Sequence, residues 1–163
     1  MPLTDETTEE RTDELMRVLN STPIVDGTRL DLLDAAGGVV GDGVREARAA
    51  LQAVVRRDAP ATILQPLLAG VTQQPVVGED GVDWKTDAEQ ARAHSVALIL
   101  AWDHVTRTLP GRLRPCANPE CSLFFLDRSR GGAGRWCSMA ACGNRAKARR
   151  HYERHRQTHH TKN

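Results

Sequence analysis

Apolar and polar positions alternate along the chain in blocks that predict a mostly helical body. Leu15, Met16, Val18 and Leu19 fall on one stripe, which predicts a first helix over residues 9–20. Asn20-Ser21-Thr22-Pro23 ends it, because the residue before a proline resists the α region. After the turn Asp26-Gly27, Thr28 is placed to cap a second helix, with Asp31 three residues on. Leu30, Leu32, Leu33 and Ala36 give that helix an apolar face, and Gly37-Gly38 stops it. Val44, Ala47, Leu51, Val54 and Val55 predict a third helix over 43–58. A short helix over 61–69 contains Pro66, which limits its length. Val76-Val77 and Val82-Asp83-Trp84 flank Gly78-Glu79-Asp80-Gly81, the pattern of a β-hairpin within 71–85. Thr86, with Glu89 as capping partner, opens the longest predicted helix, which runs to Leu109. Leu98, Trp102, Val105 and Leu109 share its stripe, and Ala97, Ile99, Leu100 and Ala101 widen it, so it belongs at the centre of the core. Pro110-Gly111 terminates it.

Charge changes the picture at that point. Residues 1–111 carry 10 Lys/Arg against 18 Asp/Glu, a balance of −8, whereas residues 112–163 carry 12 against 3, a balance of +9. Such asymmetry points to an anionic partner for the second part. All four cysteines lie there too. The expected division is a helical body over 9–109 and a basic cysteine module over 112–158. The longest apolar stretch spans seven residues, 96–102, against the roughly 20 that a membrane helix needs. The acidic start of the chain has no apolar signal core. A cytoplasmic protein without membrane contact is expected. In the body, His94 and His104 sit ten residues apart, too far along a helix to share one metal ion. Asn20, Ser21 and Thr22 read as capping and turn residues.

The cysteine module carries the specific chemistry. Cys116, Cys121, Cys137 and Cys142 give the spacing C-x4-C-x15-C-x4-C. Two close pairs across a hairpin-length insert suit tetrahedral Zn²⁺, and four thiolates close its shell. A reducing compartment argues against the alternative, a pair of disulfides. Residues 123–127 read as a strand, with Phe124 and Leu126 on one face and Leu123 and Phe125 on the other. Residues 130–135 read as a glycine-rich hairpin turn, and Arg135-Trp136 leads back to the second pair. Ser138 is placed to cap a helix beginning near Met139, with Cys142 in its first turn. Arg114, Arg135 and Arg145 are placed to moderate the formal −2 charge of zinc with four thiolates. Knuckle, hairpin, knuckle and helix resemble a treble-clef zinc finger.

The helix over 143–156 is basic nearly all round, with Ala146, Ala148 and Tyr152 its apolar residues. Such a helix cannot be buried on several faces and reads as a nucleic-acid contact surface. Arg145, Arg149 and Arg156 fall near one face, flanked by Lys147, Arg150 and Arg154. Trp136, Phe124 and Phe125 suit packing of the module better than base stacking. His151, His155 and His159 recur at a generic spacing with no acidic partner, so a second metal site is not expected.

Cys142-Gly143-Asn144-Arg145 spells the motif that names the CGNR zinc-finger family. Cys116-Ala117-Asn118-Pro119-Glu120-Cys121, Phe125-Leu126-Asp127, Ser129, Arg135-Trp136-Cys137-Ser138-Met139 and Lys147 extend the resemblance over 112–155. By that resemblance the four cysteines are the zinc ligands. The body resembles the helical ABATE domain that accompanies this finger in bacterial proteins, with Leu19-Asn20-Ser21-Thr22 similar to its early motif. The resemblance implies a transcription regulator that binds DNA or RNA, its N-terminal domain serving for homodimerisation or for sensing a small-molecule effector. The rival reading is a protein-interaction adaptor whose basic module docks on an acidic partner. An enzyme is not expected: four thiolates leave no open zinc position, and no nucleophile or phosphate-loop motif appears.

Overall fold

The computed structural model describes residues 5–33, 41–79 and 81–160. Helices α1 (Asp5–Leu19), α2 (Asp42–Arg56) and α3 (Ala93–Thr108) pack on one another, burying Leu15, Val18 and Leu19 of α1 against Leu51 of α2 and Leu98 and Val105 of α3. These are the stripes that periodicity predicts. Leu109, placed on the α3 stripe by its spacing, lies beyond the helix and is exposed. Residues 61–68 form a 3-10 segment around Pro66, with Leu64 buried. No helix among the described residues is long and apolar enough to cross a membrane.

Two predicted helices take other forms. Thr28 does not cap a helix: β1 (Ile24–Val25) pairs antiparallel with β2 (Thr28–Arg29). Between them Asp26 and Gly27 both have positive φ, 49° and 79°. A two-residue turn of that form matches strand twist, so the Asp-Gly signal overrides the capping pattern. Ala36 and Gly37-Gly38, the rest of the expected helix, lie outside the described residues. The second correction concerns Thr86. It lies in β4 (Val82–Asp87), which pairs with β3 (Thr72–Val77) in the register Gln73↔Thr86. The ladder therefore takes up the residues of the predicted cap, and α3 starts after a 3-10 turn at Gln90–Arg92. Arg92 has a role there, donating to the backbone carbonyls of Leu67 (2.5 Å) and Ala69 (2.9 Å) at the end of the 3-10 segment. At the other end of the chain's first block, α1 begins at Asp5, earlier than the apolar stripe indicates.

The body and the cysteine module meet through a third ribbon. Strand β5 (Leu113–Pro115) pairs with β6 (Phe124–Leu126), so the ribbon encloses the first cysteine pair. This corrects the expected hairpin: residues 130–135 form a turn without a strand, and 135–136 do not pair with 123–127. The bonds Cys116 N to Leu123 O and Asp127 N to Arg112 O (both 2.8 Å) set the ladder alternation. Pro115 and Phe124 consequently face each other at a non-bonded position, where proline's missing N–H costs nothing. The N–H and C=O of Phe124 point away from β5, and the Asn20 side chain takes both. Phe124 N donates to Asn20 Oδ1 at 2.7 Å, and Asn20 Nδ2 donates to Phe124 O at 3.2 Å. The Phe124 ring is 2% exposed within the core of the body, and Leu113 and Leu126 pack beside it.

Polar side chains of α2 brace the same junction. Gln52 donates to Leu19 O (2.8 Å) and Thr22 Oγ1 (2.9 Å), satisfying a carbonyl that the end of α1 leaves unpaired. Ser122 donates to Thr22 O (2.7 Å). Arg56 donates to Ser122 O (2.8 Å) and lies 4.4 Å over the Phe124 ring, a cation–π contact. Arg48, 7% exposed, donates to Ser21 Oγ (2.8 Å) and clamps both carboxylate oxygens of Asp31 at 2.7 and 2.6 Å.

Asn20→Ala leaves two backbone groups unpaired at this junction and should destabilise the protein by about 1–3 kcal/mol in denaturant unfolding. Phe124→Ala should cost about 3–5 kcal/mol and lower body and finger stability together in a single transition. The Arg48 clamp holds the Asp31 carboxyl from its ordinary 3.8 down to about 2. Its contribution is therefore present above pH 3.8 and lost as pH falls toward about 2. Asp31→Asn should flatten that part of the stability–pH curve relative to wild type.

Candidate metal centre and basic helix

Cys116, Cys121 and Cys142 are each held by a backbone feature close to them in the chain. Cys116 leaves β5, and Cys121 N donates to Asn118 O (2.9 Å), closing the first knuckle. Ala117 N donates to Arg135 O (2.8 Å), fastening that knuckle to the second. Ser138 caps a single π turn, Met139–Gly143, by accepting from Ala141 N at 3.3 Å, and Cys142 is buried in that turn. The basic helix α4 (Asn144–His160) follows directly. The turn and helix begin where the sequence predicts.

The four Sγ atoms all lie within 4.8 Å of one another. Cys137 Sγ stands 3.7 Å from both Cys121 Sγ and Cys142 Sγ. A disulfide needs about 2.05 Å. Four sulfurs about 2.3 Å from one zinc ion, at the corners of a tetrahedron, stand about 3.8 Å apart. The spacing is therefore that of a metal shell. Burial pushes the Cys121 and Cys137 thiols up, and the crowding of other sulfurs adds to this at Cys137. Burial also opposes ionisation of Cys142, but Asn118 Nδ2, donating to its sulfur at 3.5 Å, and the neighbouring sulfurs outweigh it and draw its pKa down. Four sulfurs this close, two of them disfavoured as bare thiolates by burial, suit a divalent thiophilic cation, and structural Zn²⁺ fits this donor set. Among the described residues this is the one group of His, Cys, Asp and Glu placed to hold a metal ion.

A second brace lies beside the centre. Asp127, 5% exposed, accepts from Ser129 N (3.0 Å) and Gly134 N (2.9 Å), and Arg114 lies 3.6 Å from it. The Ser129 contacts first, and those of Gly134 and Arg114 after them, hold its carboxyl below the usual range. A Cβ at Gly134 would stand 2.7 Å from Asp127 Oδ1, so only glycine lets the backbone come this near. Arg114 thus serves Asp127. Arg135 lies 5.2 Å over the Trp136 ring, and Arg145 is exposed at the start of α4. Sequence patterning missed Arg48 and Gln52. Both flank the apolar stripe of α2, where an i, i+4 polar pair bordering Val44, Ala47 and Leu51 is the available signal.

Arg145, Lys147, Arg149, Arg150 and Arg154 all lie exposed on α4. Arg149 reaches back to Glu120 of the first knuckle at 3.6 Å. Arg150 and Arg154 donate through Nε to the carbonyls of Ala146 and Arg150 (both 3.3 Å). The side chain of Arg156, and those of His155 and His159, lie outside the described residues. Of the three aromatics expected to pack the module, Phe124 instead belongs to the body core, while Phe125 and Trp136 are half-buried. In the body, His94 Nε2 bonds Glu14 Oε1 of α1 at 2.8 Å, and His104 is exposed.

The protein should bind one zinc ion per chain by metal analysis, and Cys137→Ser should abolish stoichiometric loading. Binding should release protons and weaken steeply as pH falls, since each thiolate must lose its proton to ligate.

No curated protein matches the chain. Residues 112–155, from the start of β5 into α4 and including all four cysteines, match the family model of the CGNR zinc finger.

Proposed function

We propose that the protein is a nucleic-acid-binding regulator of transcription, with the zinc module as its contact surface. The observation that carries this reading is the row of exposed cations on α4, rooted in the metal-held turn at Cys142. Rigid anchoring at one end reduces the entropy lost when such a helix settles on a phosphate backbone. Phosphate contact supplies affinity and makes it salt-dependent. The acidic body leaves the described part of this helix uncovered, which further supports the reading. The chemistry of the finger is structural: four thiolates fill the zinc shell and leave no position for a reacting water. Cysteines kept as metal ligands rather than disulfides suit a reducing cytoplasm. In this reading the body dimerises or senses a small molecule.

Fluorescence anisotropy of the zinc-loaded full chain against random DNA and RNA pools tests the reading, and the tighter pool names the target. Arg145→Ala with Arg149→Ala should weaken binding and flatten the salt slope by about 0.9 for each duplex-DNA phosphate left without its cation. Zinc content should be unchanged. Equal affinity of wild type and double variant would sink the assignment.

A further inference from the structure

A cavity of about 720 Å³ opens between the β3–β4 hairpin and helices α1 and α3. Its volume lies within the range of small-molecule sites. One wall is Val82 and Trp84 of β4, which share a strand face and are 58% and 63% exposed. Ala97 and Leu100 of α3 also line the cavity. A large indole left this open on a two-stranded ribbon is an apolar surface without a partner among the described residues.

The charged side chains lining the cavity differ in whether they are paired. Asp103 is neutralised by Arg107 at 2.8 Å, and Asp83 also has a partner. Arg11 of α1 and Lys85 of β4, the latter on the strand face opposite Trp84, line the same cavity, and their side chains make no ion pair or hydrogen bond among the described residues. Two such cations in a cavity with an apolar wall stand out in a segment whose sequence balance is −8.

We infer that this cavity binds a small amphipathic organic anion, an aromatic or branched apolar body carrying a carboxylate or sulfonate. Its ring packs between Trp84 and the Ala97–Leu100 surface, and its acid group meets Arg11 and Lys85. The inference deepens the sensing role proposed for the body and names its ligand class.

The test uses the zinc-loaded full chain, without nucleic acid, and two dyes of similar shape. Anilinonaphthalene sulfonate carries the anion, and N-phenylnaphthylamine does not. The sulfonate should bind with one site per chain and quench Trp84, a signal absent in Trp84→Leu. Arg11→Gln with Lys85→Gln should weaken the sulfonate by about tenfold or more, as expected for losing hydrogen bonds to a charged group. The neutral dye should change by less than about twofold. Ala97→Trp, which fills the cleft from an exposed helix position, should abolish binding of both, with circular dichroism confirming the fold. Sulfonate binding that is indifferent to the charge-removing pair, or that survives Ala97→Trp, overturns the proposal. So does absence of dye binding in a chain that sediments as a dimer broken by Ala97→Trp, because a second copy is then the occupant. Each outcome is read without nucleic acid, so failure here leaves the α4 assignment standing, and failure there leaves this one.

Discussion

The cysteine module has too little apolar material to hold itself together. Among the described residues, the one large side chain it fully buries, Phe124, lies in the core of the helical body. Two anchors replace a core of its own. Four sulfurs around one ion fix the knuckles, and the Asn20–Phe124 pair, with Ser122 and Arg56, fixes the β5–β6 ribbon to the end of α1. Ligand spacing of this kind holds only while both anchors do. A metal shell and a hydrophobic core are thereby linked through three residues of strand.

This linkage reshapes the picture drawn from charge. Composition divides the chain sharply near residue 111, and the two segments do carry opposite balances. The contact between them, however, is made by amide and hydroxyl groups and one aromatic ring with the Arg56 guanidinium over it, not by pairing of the opposed charges. The cations of α4 remain exposed along its described length. Electrostatic attraction between the halves is thus left for partners, while the junction relies on directional bonds that salt does not screen.

What the sequence made legible follows the strength of each local signal. The stripes of α1, α2 and α3, the β3–β4 hairpin and the Ser138 cap each rest on several agreeing residues, and each is found in the structure. The four-cysteine spacing marked the ligands because soft-metal chemistry restricts both residue type and separation. Thr28 and Thr86 misled because a capping pattern is only a few residues long. A positive-φ turn at Asp26-Gly27 and a six-residue ladder through Asp87 are stronger constraints. The pairing of β5 with β6 was hidden because Leu113-Arg114-Pro115 has neither length nor alternation. Its partner is set by the closure of the knuckle between them. Asn20 read as a turn residue, and its service to a strand 104 positions away left no trace in local pattern.

Two-stranded ribbons carry a hazard, since the outer side of a strand offers unpaired N–H and C=O groups to any passing chain. In β6 the outward groups of Phe124 are taken by one asparagine amide, which acts as a single residue of a third strand. That side chain does for β6 what a covering strand does in a larger sheet: it closes the template against edge-to-edge association, and it does so beside the aromatic ring whose exposure would make such association most adhesive.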